Sequence, residues 1–272
     1  MQLVNISHSE DGRHLRVNLG TDWARMFEQL VLAKVGLLMT RNAVAILERH
    51  MKYPALSVTS GGGKGASGHG GLWVNFGRLG AARAVHVRQK TGHLFGVEFA
   101  NAAGQIVQRF TLTKESDMDE FFAWARLHQA CAAHSAASWL EETEEEITPQ
   151  EAMRTLWCCG RGAFQAIMAA CVDSAMPVRV TLYGKSVTQR VEFVPRFLQT
   201  GEDWWLASDD VTGLHFQPKL FTRVSLEQQK KSNRGSRIIV RVAMEDDMTA
   251  LILEAGCQAV EEAWNALLEG TV

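Results

Sequence analysis

Apolar residues recur at helical spacing after Thr21-Asp22. Trp23, Met26, Phe27, Leu30, Val31 and Val35 fall on one face, and Thr21-Asp22 can cap the run. The pattern predicts a helix from there to about Met39, broken by Thr40-Arg41-Asn42. Residues 43–48 (AVAILE) are a short apolar run and predict a strand. Seven glycines fill residues 58–71, far too many for an element interior, so this stretch is expected to be a mobile hairpin loop. It is not a phosphate-cradling loop, because GGGKGASG lacks the GxxxxGK[ST] spacing and a strand-like GLWVNFGRL follows it.

Three further runs, RAVHVRQ, LFGVEFAN and IVQRFTLT, are β-rich and bounded by Lys90-Thr91-Gly92 and by residues 101–104. Their short connections imply antiparallel pairing. Ser116-Asp117 caps a helix that begins DMDEFFAWARLHQA and is expected to continue towards Trp139. The acidic run at 141–146 reads as a solvated linker. Thr148-Pro149-Gln150-Glu151 then forms a capping box with proline at the first helical position, predicting a helix to about Asp173. A second β region follows: VRVTLYG, SVTQRVEFV, DWWLAS, LFTRVSLEQ and SRIIVRVAM. Asp246-Asp247 is expected to cap a last helix through Leu268.

The halves share one order. GLWVNFGRL pairs with DWWLASDDV, AARAVHVRQ with LFTRVSLEQ, and HLFGVEF with SRIIVRV. Asp117-Met118 pairs with Asp247-Met248. The prediction is an α+β chain of two tandem repeats, 1–146 and 147–272, each a helix, a run of antiparallel strands and a closing helix.

Composition narrows the function classes. Hydrophobic residues make up 46% and charged residues 21% of the 272 positions, ordinary globular values. A net charge of −2 and a pI near 6.5 give no global drive towards nucleic acid or an anionic membrane. The N-terminus has no basic region followed by an apolar run, and no stretch is apolar for the roughly 18 residues that a span requires. The expected location is the cytoplasm, without membrane insertion. Cys131, Cys158, Cys159, Cys171 and Cys257 include no CxxC pair and are expected to be reduced thiols. No nucleophile elbow, HExxH or carboxylate pair is present, so no catalytic residue is assigned.

Several segments resemble a known family. Thr21-Asp22-Trp23, then Leu37-Leu38-Met39-Thr40-Arg41-Asn42, is similar to the first repeat of the bacterial hemin-degrading factor family (HemS/ChuS/HmuS type), where an Asp-Trp-led helix enters an L-x-x-T-R-N-type turn. Phe99, Gly104, Val107, Leu112, Thr113, Ser116 and Asp117 match its strand pattern further on. MPVRVTLYG, Trp205-Leu206 and Leu214-His215-Phe216 resemble second-repeat segments. The resemblance covers most of the chain, in order. It implies two stacked repeats, each a large antiparallel sheet flanked by helices. It also implies intracellular heme handling: binding, trafficking or oxidative ring opening. Heme or a related tetrapyrrole is the expected partner, and a homodimer is left open. The family's inter-repeat V-H-x-F histidine, its iron ligand, has no match in this chain.

Heme binding needs an axial donor, an apolar slot and cations for the propionates. The resemblance places His215 at the family's N-L-H-L position, making it the candidate iron ligand, beside Gln217, Lys219 and Arg223. His128 and His134 lie in the zone of the missing ligand. His50, near Tyr53, is read as a loop residue, and His86 as a solvent-side strand residue. Arg179 and Arg241 alternate with valines and are expected to mark a solvated polar sheet face.

Overall fold

Asp22 starts the first helix, its carboxylate accepting a hydrogen bond from the Arg25 amide at 3.3 Å. The structure is a computed structural model and describes residues 14–67, 70–89, 92–132, 153–159, 161–231 and 235–269. A strand β1 (His14–Asn18) precedes helix α1 (Trp23–Leu30), which buries Trp23, Met26, Phe27 and Leu30 as its spacing predicts. The helix is shorter than the pattern suggests. It ends in a 3₁₀ turn at Val31–Ala33, and the chain then enters β2 (Lys34–Arg41). A short apolar run with strand-like burial cannot be told from a helix by periodicity alone, which is why the two were merged. The predicted strand after the T-R-N turn is β3 (Ala45–Lys52).

The glycine-rich stretch is not a loop. It supplies β4 (Ser57–Val58), β5 (Gly62–Ser67) and β6 (Gly70–Asn75), paired antiparallel with Lys64 opposite both Ser57 and Trp73. The glycines answer close backbone approach. A Cβ on Gly65 would run into the Ala55 carbonyl, and one on Gly62 into the Val74 carbonyl. Strands β7 (Leu79–Gln89), β8 (Gly92–Asn101) and β9 (Ile106–Ser116) follow as predicted, and α2 (Met118–Ala132) closes the first half. The continuation towards Trp139, the acidic linker and the capping box lie outside the described residues.

The second half repeats this order, with two departures from the predicted helices. Residues placed in one long helix divide into β10 (Met153–Cys159) and α3 (Arg161–Ser174). The expected last helix divides into β18 (Thr249–Ala255) and α4 (Gln258–Glu269). Between them run β11 (Val178–Leu182), β12 (Val187–Phe193), β13 (Phe197–Thr200), β14 (Trp205–Ser208), β15 (Thr212–Phe216), β16 (Arg223–Lys231) and β17 (Gly235–Ala243). β18 lies between β17 and β11 with its middle five residues buried, and such a doubly covered strand has no alternation to betray it.

The strands form two large antiparallel sheets. The order β1-β7-β8-β9-β2-β3 in the first half recurs as β10-β16-β17-β18-β11-β12 in the second, and the meander β6-β5-β4 recurs as β15-β14-β13. Gly92 to Gly235, Gly104 to Asp247 and Ile106 to Thr249 each span 143 positions. Gly104 and Asp247 both hold a positive φ in the turn between corresponding strands. Two of the sequence equivalences are therefore displaced. Asp247 sits in the β17–β18 turn rather than at a helix start, and Trp205 lies on β14, the counterpart of β5, whereas Trp73 lies on β6.

The chain forms two compact units that do not follow the halves strictly. Unit 1 holds residues 1–40, 48–143 and 185–188; unit 2 holds 41–47, 144–184 and 189–272. The core of unit 1 gathers Phe27, Tyr53, Leu72, Phe99, Phe110, Phe121 and Val187. That of unit 2 gathers Val44, Leu47, Phe164, Met168, Val240, Leu253 and Trp264. Asn42 fixes the exchanged segment of unit 2. Its side-chain oxygen accepts from the Val44 and Ala45 amides, and its nitrogen donates to the Tyr183 and Ala250 carbonyls at 2.8 and 2.9 Å.

Candidate functional site

An open cleft of about 490 Å³ lies in unit 1, where β2, β3 and β9 meet the segment that follows β3. Val31, Val35, Tyr53, Pro54, Ala55 and Ala66 supply apolar wall, and Lys34, Lys52 and Glu115 supply charge. Its volume falls in the usual range for small-molecule pockets, roughly 300–1,000 Å³.

Lys34 is the unusual member. Its backbone has φ 60° and ψ −112°, a conformation rare for a side chain with a Cβ. Three bonds fix the segment around it. The Tyr53 amide donates to the Lys34 carbonyl at 3.1 Å, the Asp117 amide donates to the Ala33 carbonyl at 3.1 Å, and the Lys34 ammonium sits 2.8 Å from the Asp117 carboxylate. Asp117 also accepts from the Glu120 amide at the start of α2. The hydrogen bond from Lys34 holds the Asp117 carboxyl below its ordinary range, and the same bond raises Lys34. Strain that surrounding structure over-determines is a recognised mark of binding sites.

His50 is on strand β3, not in a loop. Two residues from Lys52, it shares that residue's face by strand periodicity. Its Nε2 is 3.3 Å from the Thr113 hydroxyl and 3.9 Å from the Glu115 carboxylate, and its side chain is 16% exposed. Beneath the cleft, the Tyr53 hydroxyl donates to the Gln108 side-chain Oε1 at 3.2 Å, and burial pushes the phenol well above its ordinary value. The cleft thus offers an apolar wall, the Lys52 ammonium, a Lys34 ammonium already paired with Asp117, the Glu115 carboxylate and an adjacent imidazole. A ligand carboxylate would meet Lys52 directly and Lys34 only in exchange for Asp117.

The residues singled out from sequence are dispersed. His128 is fully buried on α2, its Nε2 3.1 Å from Gln29 Oε1 and its ring 5.1 Å from that of Trp124. His134 lies outside the described residues. His215 and Gln217 lie together at the end of β15 in unit 2, with the Gln217 amide donating to the Val44 carbonyl. Lys219 and Arg223 follow, each held by a carboxylate: Asp203 at 3.0 Å and Asp247 at 2.9 Å. They would receive a ligand carboxylate only by exchanging these partners.

The arginine face of unit 2 is laced with ion pairs, with Arg179 39% exposed and Arg241 15% exposed. Arg179 meets Glu192 at 2.8 Å and Glu254 at 3.2 Å; Arg237 also bridges Glu254, and Arg241 approaches Glu227 at 3.9 Å. Glu254 and Glu227 are 4% and 3% exposed, so buried glutamates on neighbouring strands pair with these partly exposed cations. Cys171 is buried and free, and Cys257 is free and half-buried; the other three thiols lie outside the described side chains.

No family model matches the sequence, and no curated protein matches it. Solved structures do. PhuS, a heme-binding protein from Pseudomonas aeruginosa, superposes in its holo form with a TM-score of 0.77 and 17% identity, over 93% of this chain and 86% of that one. This chain has the PhuS fold. The heme degrading enzyme ChuS of Escherichia coli O157:H7 gives a TM-score of 0.76 at 11% identity over the same shares. Apo-PhuS gives 0.73 at 16% identity over 94% of this chain. The asparagine of the T-R-N turn is the structural clamp Asn42 described above.

Among the described residues, no helix is long and apolar enough to cross a membrane, and no group of three or more potential metal ligands gathers. Lys34, Lys52 and Glu115 carry no signal in the sequence. A lysine in a left-handed conformation leaves no periodic signal, and only the weighed pair His50–Tyr53 pointed to this neighbourhood.

Proposed function

We propose that this protein binds heme and serves heme-iron utilisation, by trafficking or by degradation, and that the unit 1 cleft is the binding site. The observation that carries the reading is the likeness to the heme-binding PhuS over 93% of the chain. The residues that would hold the ligand are the apolar walls for the macrocycle, Lys52 for one propionate, Lys34 for the other in exchange for Asp117, and the adjacent His50 as the imidazole. Bound heme would supply the redox and oxygen chemistry; the chain's part is to hold the carboxylates and screen the ring from water. His215, with Gln217, Lys219 and Arg223, is the second candidate ligand set and comes from the family resemblance.

Hemin titration of the purified chain tests the reading. A saturable Soret shift is expected, weakened about tenfold when Lys34 or Lys52 becomes Met. Absence of any saturable shift at micromolar hemin overturns heme binding. Loss of the shift in His50→Ala but not His215→Ala assigns the ligand to unit 1, and the reverse assigns it to His215. Decay of the Soret band with reductant and oxygen distinguishes ring opening from carriage.

A second reading is favoured by the engagement of His50 with Thr113 and Glu115. It makes the cleft a site for another apolar dianion that needs no axial donor. Binding of iron-free protoporphyrin as tight as that of hemin supports it.

A further inference from the structure

His86 and His93 lie at the end of the β7–β8 hairpin in unit 1. The register sets His86 opposite Phe95 and Arg88 opposite His93, so the two imidazoles are diagonal neighbours on one face of the sheet. His86 Nε2 and His93 Nδ1 are 2.8 Å apart. Phe95 stacks on the His86 ring at 4.4 Å and 13°, and Phe95 in turn meets Phe122 of α2 edge-on at 5.3 Å. His86 is half-buried and its ring plane is fixed by that stack, while His93 is exposed.

Two neutral imidazoles this close can share one hydrogen bond. The separation is also close to that of two imidazole nitrogens on neighbouring positions of one metal ion, about 2.9–3.4 Å for metal–nitrogen bonds of ~2.0–2.1 Å. We propose that His86 and His93 form a two-imidazole site for a divalent cation of the copper, nickel and zinc group, the metals that imidazole suits. Coordination needs a lone pair on each of the two facing nitrogens. The proton on the shared nitrogen moves to the other nitrogen of the same ring, leaving two lone pairs for the metal and releasing no net proton. The remaining coordination positions fall to water, which makes the site open and exchanging. Arg88, facing His93, opposes the added charge and limits the affinity.

Cu²⁺ titration of the full chain, read by pulsed electron paramagnetic resonance, tests the site. One equivalent should show two coupled imidazoles in the wild type and one in His93→Asn or His86→Asn. The double variant should show neither. His93 is exposed, so His93→Asn retains the fold, and circular dichroism verifies that it does. A wild-type spectrum with fewer than two imidazoles, or a spectrum unchanged in His93→Asn, overturns the proposal and assigns the copper elsewhere.

Discussion

His128 shows how burial changes what a side chain can do. Its ring is fully buried against Trp124, and its pKa is lowered by burial first, then by the charge of Arg25, with Asp22 opposing. The folded chain therefore resists a proton that the unfolded chain accepts near the ordinary value of about 6.5. Stability is complete above that pH and falls as pH drops towards the lowered value. Urea unfolding between pH 7.5 and 5 should show this loss, at most ~1.4 kcal/mol per pH unit for one proton, and His128→Gln should flatten it. An unchanged slope in the variant would remove His128 as the cause. Burial acts in the opposite sense on Cys171, whose thiol is pushed up to about 12. Native protein at pH 8 should leave Cys171 unlabelled by a thiol reagent that reacts within minutes in denaturant, as mass spectrometry would show.

The strand β5 makes the equivalent case for elements. Composition alone marks Gly62 and Gly65 as loop residues, yet the fold needs them because neighbouring backbone leaves no room for a Cβ. Gly65→Val should cost about 1–3 kcal/mol, the range for forced overpacking, and shift the thermal midpoint downwards. Gly77→Ala is the control, since its Cβ would meet only the Asn75 side chain at 3.4 Å, and the expected change is within ~0.5 kcal/mol. An equal effect in the two variants would deny β5 its close approach. The same physics sets what was legible in the sequence. α1, β3, β7, β8, β9 and α2 announce themselves by period, caps and turns. β18 does not, since it is covered on both faces and has no alternation, and β2 does not, since it continues the apolar run of α1. The cleft was legible only through His50 and Tyr53, because the conformation of Lys34 is imposed by Tyr53 and Asp117 rather than by its own neighbours in sequence.

Across the whole molecule, the doubled strand order was legible as a pattern of like segments, whereas the exchange of short segments was not. Val187 and Ser186 belong to unit 1: Val187 is 1% exposed in its core, and the Ser186 hydroxyl donates to the Arg78 carbonyl. A fragment cut at the sequence boundary, residues 1–146, lacks both, and it carries Val44, Ala45 and Leu47 without the unit 2 core that buries them. This fragment should bind a hydrophobic dye and unfold at lower urea concentration than the full chain. A fragment as stable as the intact protein would show the exchange to be energetically idle.

The exchange also has a consequence in time. Residues 185–188 leave the ribosome only after 44 more residues have followed Thr143 up to Val187. At ~5–20 residues per second this is a wait of roughly 2–9 s. During synthesis the first unit stays open at the place Val187 will fill, and it closes while the second is still being made.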